Sequence, residues 1–259
     1  GQHIKKARAL IVEKLQKKGL IDKIDGNYKH VVRTCYRCGT VIEPQIRNQW
    51  FVKMKPLAEK ALEKIQSGEI EYIPEHYKKI TIHWLENIVD WNISRQIVWG
   101  IPIPAKICLR CGHGMADIEN KIKKCASCGG EIVADNDTFD TWFSSGQWPF
   151  VTLGYPDSLD FKTFYPTDVM ETAGEIIFFW VSRMIMLGLY VTKKVPFKTV
   201  YLHGLVLDAK GLKMSKSKGN VIDPLVLTDK YGTDAFRMGM VVGNTPGTSL
   251  ALEEDIIRG

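Results

Sequence analysis

The fold is decided by residues 168–203, DVMETAGEIIFFWVSRMIMLGLYVTKKVPFKTVYLH. This stretch predicts a short strand at Asp168–Thr172, a buried helix at Gly174–Tyr190 and a second strand at Thr199–His203. A helix that connects two strands in this way crosses one face of the sheet, so the two strands run parallel. The sequence therefore predicts an α/β fold whose parallel sheet is covered on both faces.

Further elements are predicted on both sides of this unit from apolar spacing and from turn residues. Helices are expected at residues 4–18, 56–67 and 233–241, an amphipathic turn or two at 84–91, and a strand at 93–103. Thr233 or Asp234 is the expected N-cap of the last helix, because a short oxygen-bearing side chain can accept its first free amides.

Composition excludes several classes of protein. The chain has 259 residues, of which 45% are hydrophobic and 25% charged, which excludes wholesale disorder. The most apolar window, Glu175–Val191, is interrupted by Arg183, which argues against a membrane span. There is no initiator Met and no apolar leader, so we expect a cytoplasmic protein and a piece of a longer chain. The net charge of +6 is compatible with an anionic partner but does not establish one.

The six cysteines form three Cys-x-x-Cys pairs. They are Cys35/Cys38, Cys108/Cys111 and Cys125/Cys128. The last two pairs are separated by 13 residues and each is followed by glycine, a spacing that predicts one structural zinc site rather than packed reduced thiols. Four thiolates leave no open position, so a catalytic zinc is disfavoured. The pair Cys35/Cys38 has no partner pair here. It is either metal-free, completed by His30 or His113, or half of a site whose partners lie outside this sequence.

A Gly/Lys/Ser-rich loop follows the second predicted strand. Within it, Lys213-Met-Ser-Lys-Ser217 places two ammonium groups among small hydroxyl side chains. Such a loop suits a polyphosphate, whose oxygens would accept hydrogen bonds from the lysines, the serines and the backbone amides. On residue types alone, a solvated basic loop is an equally good interpretation.

The loop also carries a family resemblance. Residues 213–217 match the KMSKS signature of class I aminoacyl-tRNA synthetases, and 203–224, HGLVLDAKGLKMSKSKGNVIDP, resembles the branch for valine, isoleucine and leucine. Lys218 departs from the leucine usual there. The segments 140–150 (DTWFSSGQWPF), 48–54 (NQWFVKM) and 84–96 (WLENIVDWNISRQ, followed by Trp99-Gly100) are most similar to the valine-specific members. The resemblance extends over residues 4–258.

This resemblance implies the second half of a class I Rossmann-like parallel sheet, with a zinc-ribbon insertion and the start of an α-helical stem. The HIGH signature of the first half does not occur, and His203-Gly204 is not its equivalent. The expected divisions are 1–34 (exit from an editing domain), 35–92 (connector with the first cysteine pair), 93–105 (Rossmann strand and exit), 106–136 (zinc ribbon), 137–224 (catalytic half with the signature loop) and 225–259 (stem-contact helices). The rest of the editing domain and the anticodon domain are expected to be missing.

The resemblance also assigns roles. The protein would activate valine with ATP and Mg²⁺ and transfer it to tRNA(Val), as a monomer, and this chain would need the HIGH-bearing half. Lys213 and Lys216 would act on the ATP phosphates; the nucleotide would also contact Gly174, Glu175, His203, Gly204, Val206, Met214, Ser215 and Ser217. The valine pocket would be walled by Trp142, Ile176 and Trp180, the last two on one helical face. The alternatives are an isoleucine-type fragment and an inert zinc-ribbon module that binds tRNA.

Overall fold

The computed structural model describes residues 3–35, 38–216 and 219–258, which fall into two compact units, Gly1–Asn48 and Gln49–Gly259. The first unit contains helix α1, Ile4–Lys17, as the apolar spacing predicts. His3 precedes the helix and accepts a hydrogen bond from the Lys5 amide on its ring, while Gly19 adopts a positive φ of 65° just beyond the helix end. Among the other described residues of this unit, the one regular feature is a bridge between Thr34 and Val41.

The second unit contains all the other elements of the described chain. In chain order they are β1 (Phe51–Val52), α2 (Lys55–Gln66), β2 (Glu71–Ile73), α3 (His76–Glu86), β3 (Trp91–Asn92), β4 (Ser94–Arg95), β5 (Ala105–Cys108), β6 (Gly114–Ala116), β7 (Ile132–Ala134), β8 (Thr138–Phe139), α4 (Thr141–Ser145), α5 (Trp148–Val151), α6 (Leu159–Phe164), β9 (Thr167–Ala173), α7 (Arg183–Thr192), β10 (Phe197–His203), β11 (Val206–Leu207), α8 (Pro224–Tyr231), α9 (Thr233–Val241), β12 (Leu250–Ala251) and α10 (Glu254–Arg258).

A three-stranded parallel sheet organises this unit. Strand β10 lies in the middle, with β9 on one side and β2 on the other, and both pairings are parallel. The β9–helix–β10 unit predicted from residues 168–203 is therefore confirmed. The third strand, β2, is only three residues long, too short to show a periodic pattern in the sequence.

The crossover between β9 and β10 is helical but irregular. A 3₁₀ turn at Gly174–Ile176 leads into a π-helical segment at Ile177–Ser182 and then into α7. Its apolar residues pack with those of β9, β10, α2 and α3 in the main core. Gly174–Thr192 is long and apolar enough by composition to cross a bilayer, but half of that window is buried inside the protein, which is typical of a core helix.

The remaining sheets are small. Strands β1 and β3 pair antiparallel, as do β4 and β8, and β5 lies between β6 and β7 in an antiparallel sheet around the later cysteines. Strands β11 and β12 form a parallel pair next to α8, α9 and α10. This arrangement places the signature loop, which lies between β11 and α8, beside the end of the main sheet.

Three local predictions are wrong. The amphipathic turn or two expected at 84–91 is the last turn of α3, which ends at Glu86, where the Asn87 side-chain amide donates to the His83 carbonyl oxygen, and Trp91 belongs to β3. The strand expected at 93–103 is interrupted. Strand β4 pairs with β8, residues 97–101 form an exposed loop, and the chain then returns to β8, where the Phe139 amide donates to the Ile101 carbonyl oxygen and Pro102 bridges Thr138. The N-cap of α9 is Gly232, and neither Thr233 nor Asp234 caps that helix.

Candidate functional site

The predicted nucleotide-binding residues meet at the carboxyl edge of the parallel sheet. Ala173, the last residue of β9, is in register with His203, the last residue of β10. Gly174 and Gly204 therefore follow neighbouring strand ends, which is where ligands bind in open α/β sheets. The His203 ring Nε2 lies 3.4 Å from Glu171 Oε1, and its Nδ1 lies 2.6 Å from the Gly204 carbonyl oxygen.

The signature loop reaches the same edge. Lys213 Nζ donates a 2.6 Å hydrogen bond to Glu175 Oε2, and the two side chains are 61% and 46% exposed. A lysine and a carboxylate predicted from segments 38 residues apart are thus in contact. Lys216 is exposed, and Ser217 lies outside the described residues. The Met214 sulfur accepts a 3.5 Å hydrogen bond from the Ile222 amide, so this side chain is directed at the loop's own backbone.

Gly174 is required by close packing against a residue that the sequence does not single out. A Cβ atom at this position would lie 2.5 Å from the Tyr77 hydroxyl oxygen, which is closer than real contacts allow. Tyr77 belongs to α3 and comes from a distant part of the chain, so no local pattern connects it with the site. The Tyr77 ring packs against Gly174, in the turn that also carries Glu175.

Gly204 is also required, but the backbone it approaches is that of Thr248. A Cβ atom at Gly204 would lie 1.8 Å from the Thr248 carbonyl oxygen. The segment 244–248 and residues 203–206 together line a small pocket of about 200 Å³. The pocket brings His203, Gly204 and Val206 together as predicted, and its second wall was missed. The turn-forming run Asn244-Thr-Pro-Gly-Thr248 indicates a loop but gives no partner for it.

Both tryptophans predicted to wall the amino-acid pocket are associated with α4, one as part of the helix and the other through a hydrogen bond to it. Trp142 lies on this helix, and its ring stacks on Phe179 with centroids 5.8 Å apart. The Trp180 indole N–H donates to the Ser145 carbonyl oxygen at 3.0 Å. Trp142 and Phe179 contribute to a cleft of about 540 Å³ between α4, β3 and the crossover helix.

Neither Ile176 nor Trp180 lines that cleft, so of the three predicted pocket residues only Trp142 does. Ile176 ends the 3₁₀ turn, and Trp180 lies in the π-helical segment, so the spacing of four residues does not follow a regular α-helix here. The expectation that the two share one helical face rests on α-helical spacing, which does not apply to this segment. Their role as pocket walls stays a prediction.

Asp140 organises the region behind Trp142 and was also missed. This carboxylate is 6% exposed and accepts hydrogen bonds from the Trp91 indole at 2.9 Å, from Arg95 at 2.8 Å and from the Trp142 amide at 3.2 Å. The Arg183 guanidinium lies over the Trp91 ring at 3.7 Å from its centroid and 3.9 Å from the Asp140 carboxylate. Burial lowers the pKa of Arg183 to about 10, although Asp140 opposes the shift. The Asp140 carboxylate therefore has two roles: it compensates the buried charge of Arg183, and it caps the N-terminus of α4.

Four cysteines converge in the small antiparallel sheet. The sulfur atoms of Cys108, Cys111, Cys125 and Cys128 all lie within 4.8 Å of one another, and they form the one such metal-binding group among residues 3–35, 38–216 and 219–258. A Cβ atom at Gly130 would lie 3.2 Å from the Cys128 sulfur and 3.3 Å from the Cys108 sulfur, so glycine keeps this space open. The predicted ligand set is brought together completely and could hold a metal ion.

Hydrogen bonds and sulfur contacts within the cluster also shift the pKa values of two of the thiols. Hydrogen bonds led by that from the Cys111 amide lower the pKa of the Cys108 thiol to about 6. The pKa of Cys128 is raised to about 12, because its contacts with the Cys111 and Cys108 sulfurs outweigh the lowering effect of the Gly130 amide. Without a cation the four thiols cannot all ionise, since thiolates at this spacing repel one another.

Cys35 begins a turn with the same backbone bonds as the two later pairs. The Cys35 amide donates to the Thr40 carbonyl oxygen and the Gly39 amide to the Cys35 carbonyl oxygen, each at 2.8 Å, and Gly39 has a positive φ of 67°. Cys108 and Cys125 make the equivalent pair of bonds. Within the described residues of the first unit no third ligand joins Cys35 and Cys38, and His30 does not complete the pair.

Comparison with known proteins identifies the class to which this fold and site belong. A family model described as "tRNA synthetases class I (I, L, M and V)" matches residues 2–253. The chain therefore belongs to the class I tRNA synthetase family.

Within that family the chain is similar to valine–tRNA ligases. It is 50% identical over 255 residues to the one from Clostridium tetani and 51% identical over 253 residues to the one from Symbiobacterium thermophilum, each match covering 97% of this chain. These matches cover 29% and 28% of the two relatives, so the chain spans less than a third of their length.

Solved structures have the same fold. The methionyl-tRNA synthetase of Mycobacterium tuberculosis bound by methionyl-adenylate matches with a TM-score of 0.63 and 20% identity, over 87% of this chain and 39% of that one. A LeuRS–tRNA–LeuAMS ternary complex from Agrobacterium radiobacter matches with a TM-score of 0.57 and 26% identity, over 66% of this chain and 27% of that one.

Proposed function

We propose that this chain forms the KMSKS-bearing part of a valine–tRNA ligase. The enzyme would join the valine carboxylate to the α-phosphate of ATP with release of pyrophosphate, and then transfer valine to tRNA(Val). The contact between Lys213 and Glu175 at the carboxyl edge of the sheet carries the proposal. It puts a phosphate-binding cation beside a carboxylate that can accept hydrogen bonds from ribose hydroxyls.

The residues at this edge divide the nucleotide between them. Glu175 would take the ribose, and the pocket of His203, Gly204 and Val206 would take the adenine. Lys213 and Lys216 would bind the phosphates and stabilise the charge that builds on the departing pyrophosphate. Mg²⁺ would be held chiefly by the phosphates, so the protein needs no cage of carboxylates.

The amino-acid pocket would use Trp142, Trp180 and Ile176 as rigid walls. The Trp142 ring stacks on Phe179, and the Trp180 ring is held by its hydrogen bond to the Ser145 carbonyl oxygen. Walls of this kind would limit the pocket, because an extra methylene would force the rings away from their packing. This supports valine over the larger isoleucine.

The metal that we propose for the four cysteines is a structural Zn²⁺. Tetrahedral zinc with bonds of about 2.3 Å to sulfur separates its sulfurs by about 3.8 Å. Three of the sulfur pairs here are 3.5 to 3.6 Å apart, and the glycines of each Cys-x-x-Cys-Gly turn have positive φ. Cys35 and Cys38 would be half of a second site, whose other ligands lie outside this chain.

We extend the proposal to the setting of the protein. The boundaries 34/35, 105/106, 136/137 and 224/225 would divide the chain into editing-domain exit, connector, zinc ribbon, catalytic half and stem-contact helices. The Rossmann strand expected at 93–105 is left out of this division, because β4 pairs with β8 outside the parallel sheet and β2 supplies the third parallel strand. The working enzyme would be a cytoplasmic monomer that also contains a HIGH-bearing half.

Valine-dependent exchange of labelled pyrophosphate into ATP tests the function. The chain is placed in the Clostridium tetani valine–tRNA ligase in exchange for the 255 residues that match it. We expect exchange with valine in this hybrid enzyme and none in the isolated chain. Lys216→Ala should lower the rate about 100- to 1000-fold, because it removes a donor to developing charge. Lys198→Ala, at an exposed lysine paired with Asp168 outside the site, is the matched control.

Each other result decides against part of the proposal. An inactive hybrid that still binds tRNA with steep salt dependence would favour the inert RNA-binding module. Exchange with isoleucine as efficient as with valine would overturn the substrate assignment, and strong exchange by the isolated chain would contradict the need for a HIGH-bearing half.

A further inference from the structure

The base of the signature loop is closed by a buried carboxylate. Asp208 follows β11 and is 8% exposed. Its Oδ1 accepts hydrogen bonds from the amides of Lys210 at 3.0 Å and Leu212 at 2.8 Å, and its Oδ2 accepts one from the Asn220 side-chain amide at 2.8 Å. One carboxylate thus ties the first residues of the loop to its last.

Asn220 continues this connection toward the lysines. Its Oδ1 accepts a hydrogen bond from the Ser215 amide at 2.9 Å, and its Nδ2 donates to the Lys213 carbonyl oxygen at 3.2 Å as well as to Asp208. The backbone on both sides of Met214 is therefore held by one amide side chain. That stretch lies between the two lysines proposed to bind phosphate.

These hydrogen-bond donors stabilise the negative charge of the Asp208 carboxylate. The Asn220 amide, followed by the Leu212 amide, lowers the pKa of the Asp208 carboxyl, so the anion is the favoured form. Because both of its oxygens are directed at donors within the loop, the anion can order the loop without facing a bound polyphosphate. Fixing a flexible loop before the substrate arrives reduces the entropy lost at the moment of reaction.

We propose that Asp208 and Asn220 are positioning residues that clasp the lysine-bearing loop in its productive form. Neither touches the substrate. They fix the backbone at Lys213, whose ammonium group then stays at the sheet edge beside Glu175. The inference rests on the proposed function, since it takes the loop to be the phosphate-binding element.

An exchange of the two side chains tests the clasp. In Asp208→Asn the side-chain amides of residues 208 and 220 face each other with their NH₂ groups, and in Asn220→Asp two carboxylates face each other. Both single variants should therefore break the hydrogen bond between these two side chains. The double variant Asp208→Asn/Asn220→Asp can restore it in the opposite direction, although the Lys213 carbonyl oxygen loses its donor and then faces a carboxylate oxygen. Asp229→Asn, at an exposed position of α8, is the matched control.

Kinetics of the hybrid enzyme give the first readout. We expect each single variant to lower kcat for pyrophosphate exchange by up to about 100-fold, because small displacements of catalytic groups have effects of that size. The KM for valine should stay within about twofold, since the valine pocket lies elsewhere. The kcat of the double variant should be at least about tenfold higher than that of either single variant. Single variants with unchanged kcat, or a double variant no better than the worse single one, would overturn the proposal.

Hydrogen exchange of the isolated chain gives a readout that needs no activity. The amides of Leu212 and Ser215 should exchange faster by about tenfold in both single variants, and the double variant should return them toward the original rates. If the hybrid enzyme is inactive while these amides respond as expected, the proposed function fails and the clasp stands. If the amides do not respond, the clasp itself is refuted.

Discussion

Replacing Asp140 tests the network behind the proposed amino-acid pocket. Asp140→Ala removes the acceptor of the Trp91 indole N–H, the N-cap of α4 and the anion nearest the buried Arg183. Asp140→Asn keeps the acceptor and the cap but removes the charge. Comparing the two separates the electrostatic part from the hydrogen-bonding part.

The magnitude follows from what each change leaves behind. An indole N–H without its acceptor costs about 1 kcal/mol or more, and loss of an N-cap costs about 1 kcal/mol. Breaking a tight buried ion pair costs about 3–5 kcal/mol. Here the Arg183–Asp140 separation is 3.9 Å and Arg183 keeps its contact with the Trp91 ring, so about 2 kcal/mol is reasonable. We expect Asp140→Ala to lower the free energy of unfolding by about 4 kcal/mol and Asp140→Asn by about 2 kcal/mol.

Urea unfolding of the chain, followed by tryptophan fluorescence with saturating zinc, measures these differences. Thermal unfolding should give a Tm lower by about 8–16 °C for Asp140→Ala, from about 2–4 °C per kcal/mol at this size. Asp157→Ala, at an exposed position, should stay within about 0.5 kcal/mol. A change of less than about 1 kcal/mol for Asp140→Ala would refute the reasoning, and equal losses in both variants would refute the contribution of the cap and of the indole hydrogen bond.

Three further changes probe the cysteine cluster, the close backbone approach and a buried phenol. Elemental analysis should find about one zinc per chain, lost in Cys125→Ser and kept in Cys35→Ser, and two zincs held by the intact chain would contradict this. Gly204→Ala should lower the free energy of unfolding by about 2–3 kcal/mol, because its Cβ would collide with the Thr248 carbonyl oxygen; an unchanged urea midpoint would contradict the packing. Burial raises the pKa of Tyr165 to about 12, so the unfolded state loses its phenolic proton first and stability falls from pH 10 toward pH 12. Tyr165→Phe should flatten this alkaline decline in the free energy of unfolding, and an identical slope would contradict it.

Much of the fold follows from local patterns. The apolar run of residues 174–190 between two short strands predicts a parallel β–α–β unit. A crossover helix brings the chain back to the end of the sheet where the first strand began, so the second strand runs in the same direction. Strand β2 could not be predicted, since three residues carry no readable period. Composition also misled at residues 93–103, where β-branched side chains favour extended backbone but do not reveal that both ends of the segment pair with the same short strand and leave a loop between them.

The candidate site divides in the same way. The four cysteines and the two signature lysines are recognisable because their chemistry depends on residue type and spacing. Asp140, Tyr77 and the segment 244–248 are not recognisable, because each acts on residues far away in the chain. Asp208 and Asn220 lie inside a segment that the sequence singles out, yet only their hydrogen bonds reveal that they join its two ends.

By itself the sequence determined the parallel sheet, the paired cysteine turns and the lysine loop, since periodicity, spacing and residue chemistry are local properties of a chain. The tertiary structure decided which groups meet. It brought Lys213 to Glu175, placed the Thr248 backbone against Gly204 and set Arg183 over the Trp91 ring near Asp140. The physical reason is that these contacts form only when the whole unit folds and buries its apolar core, which is a cooperative property of the chain.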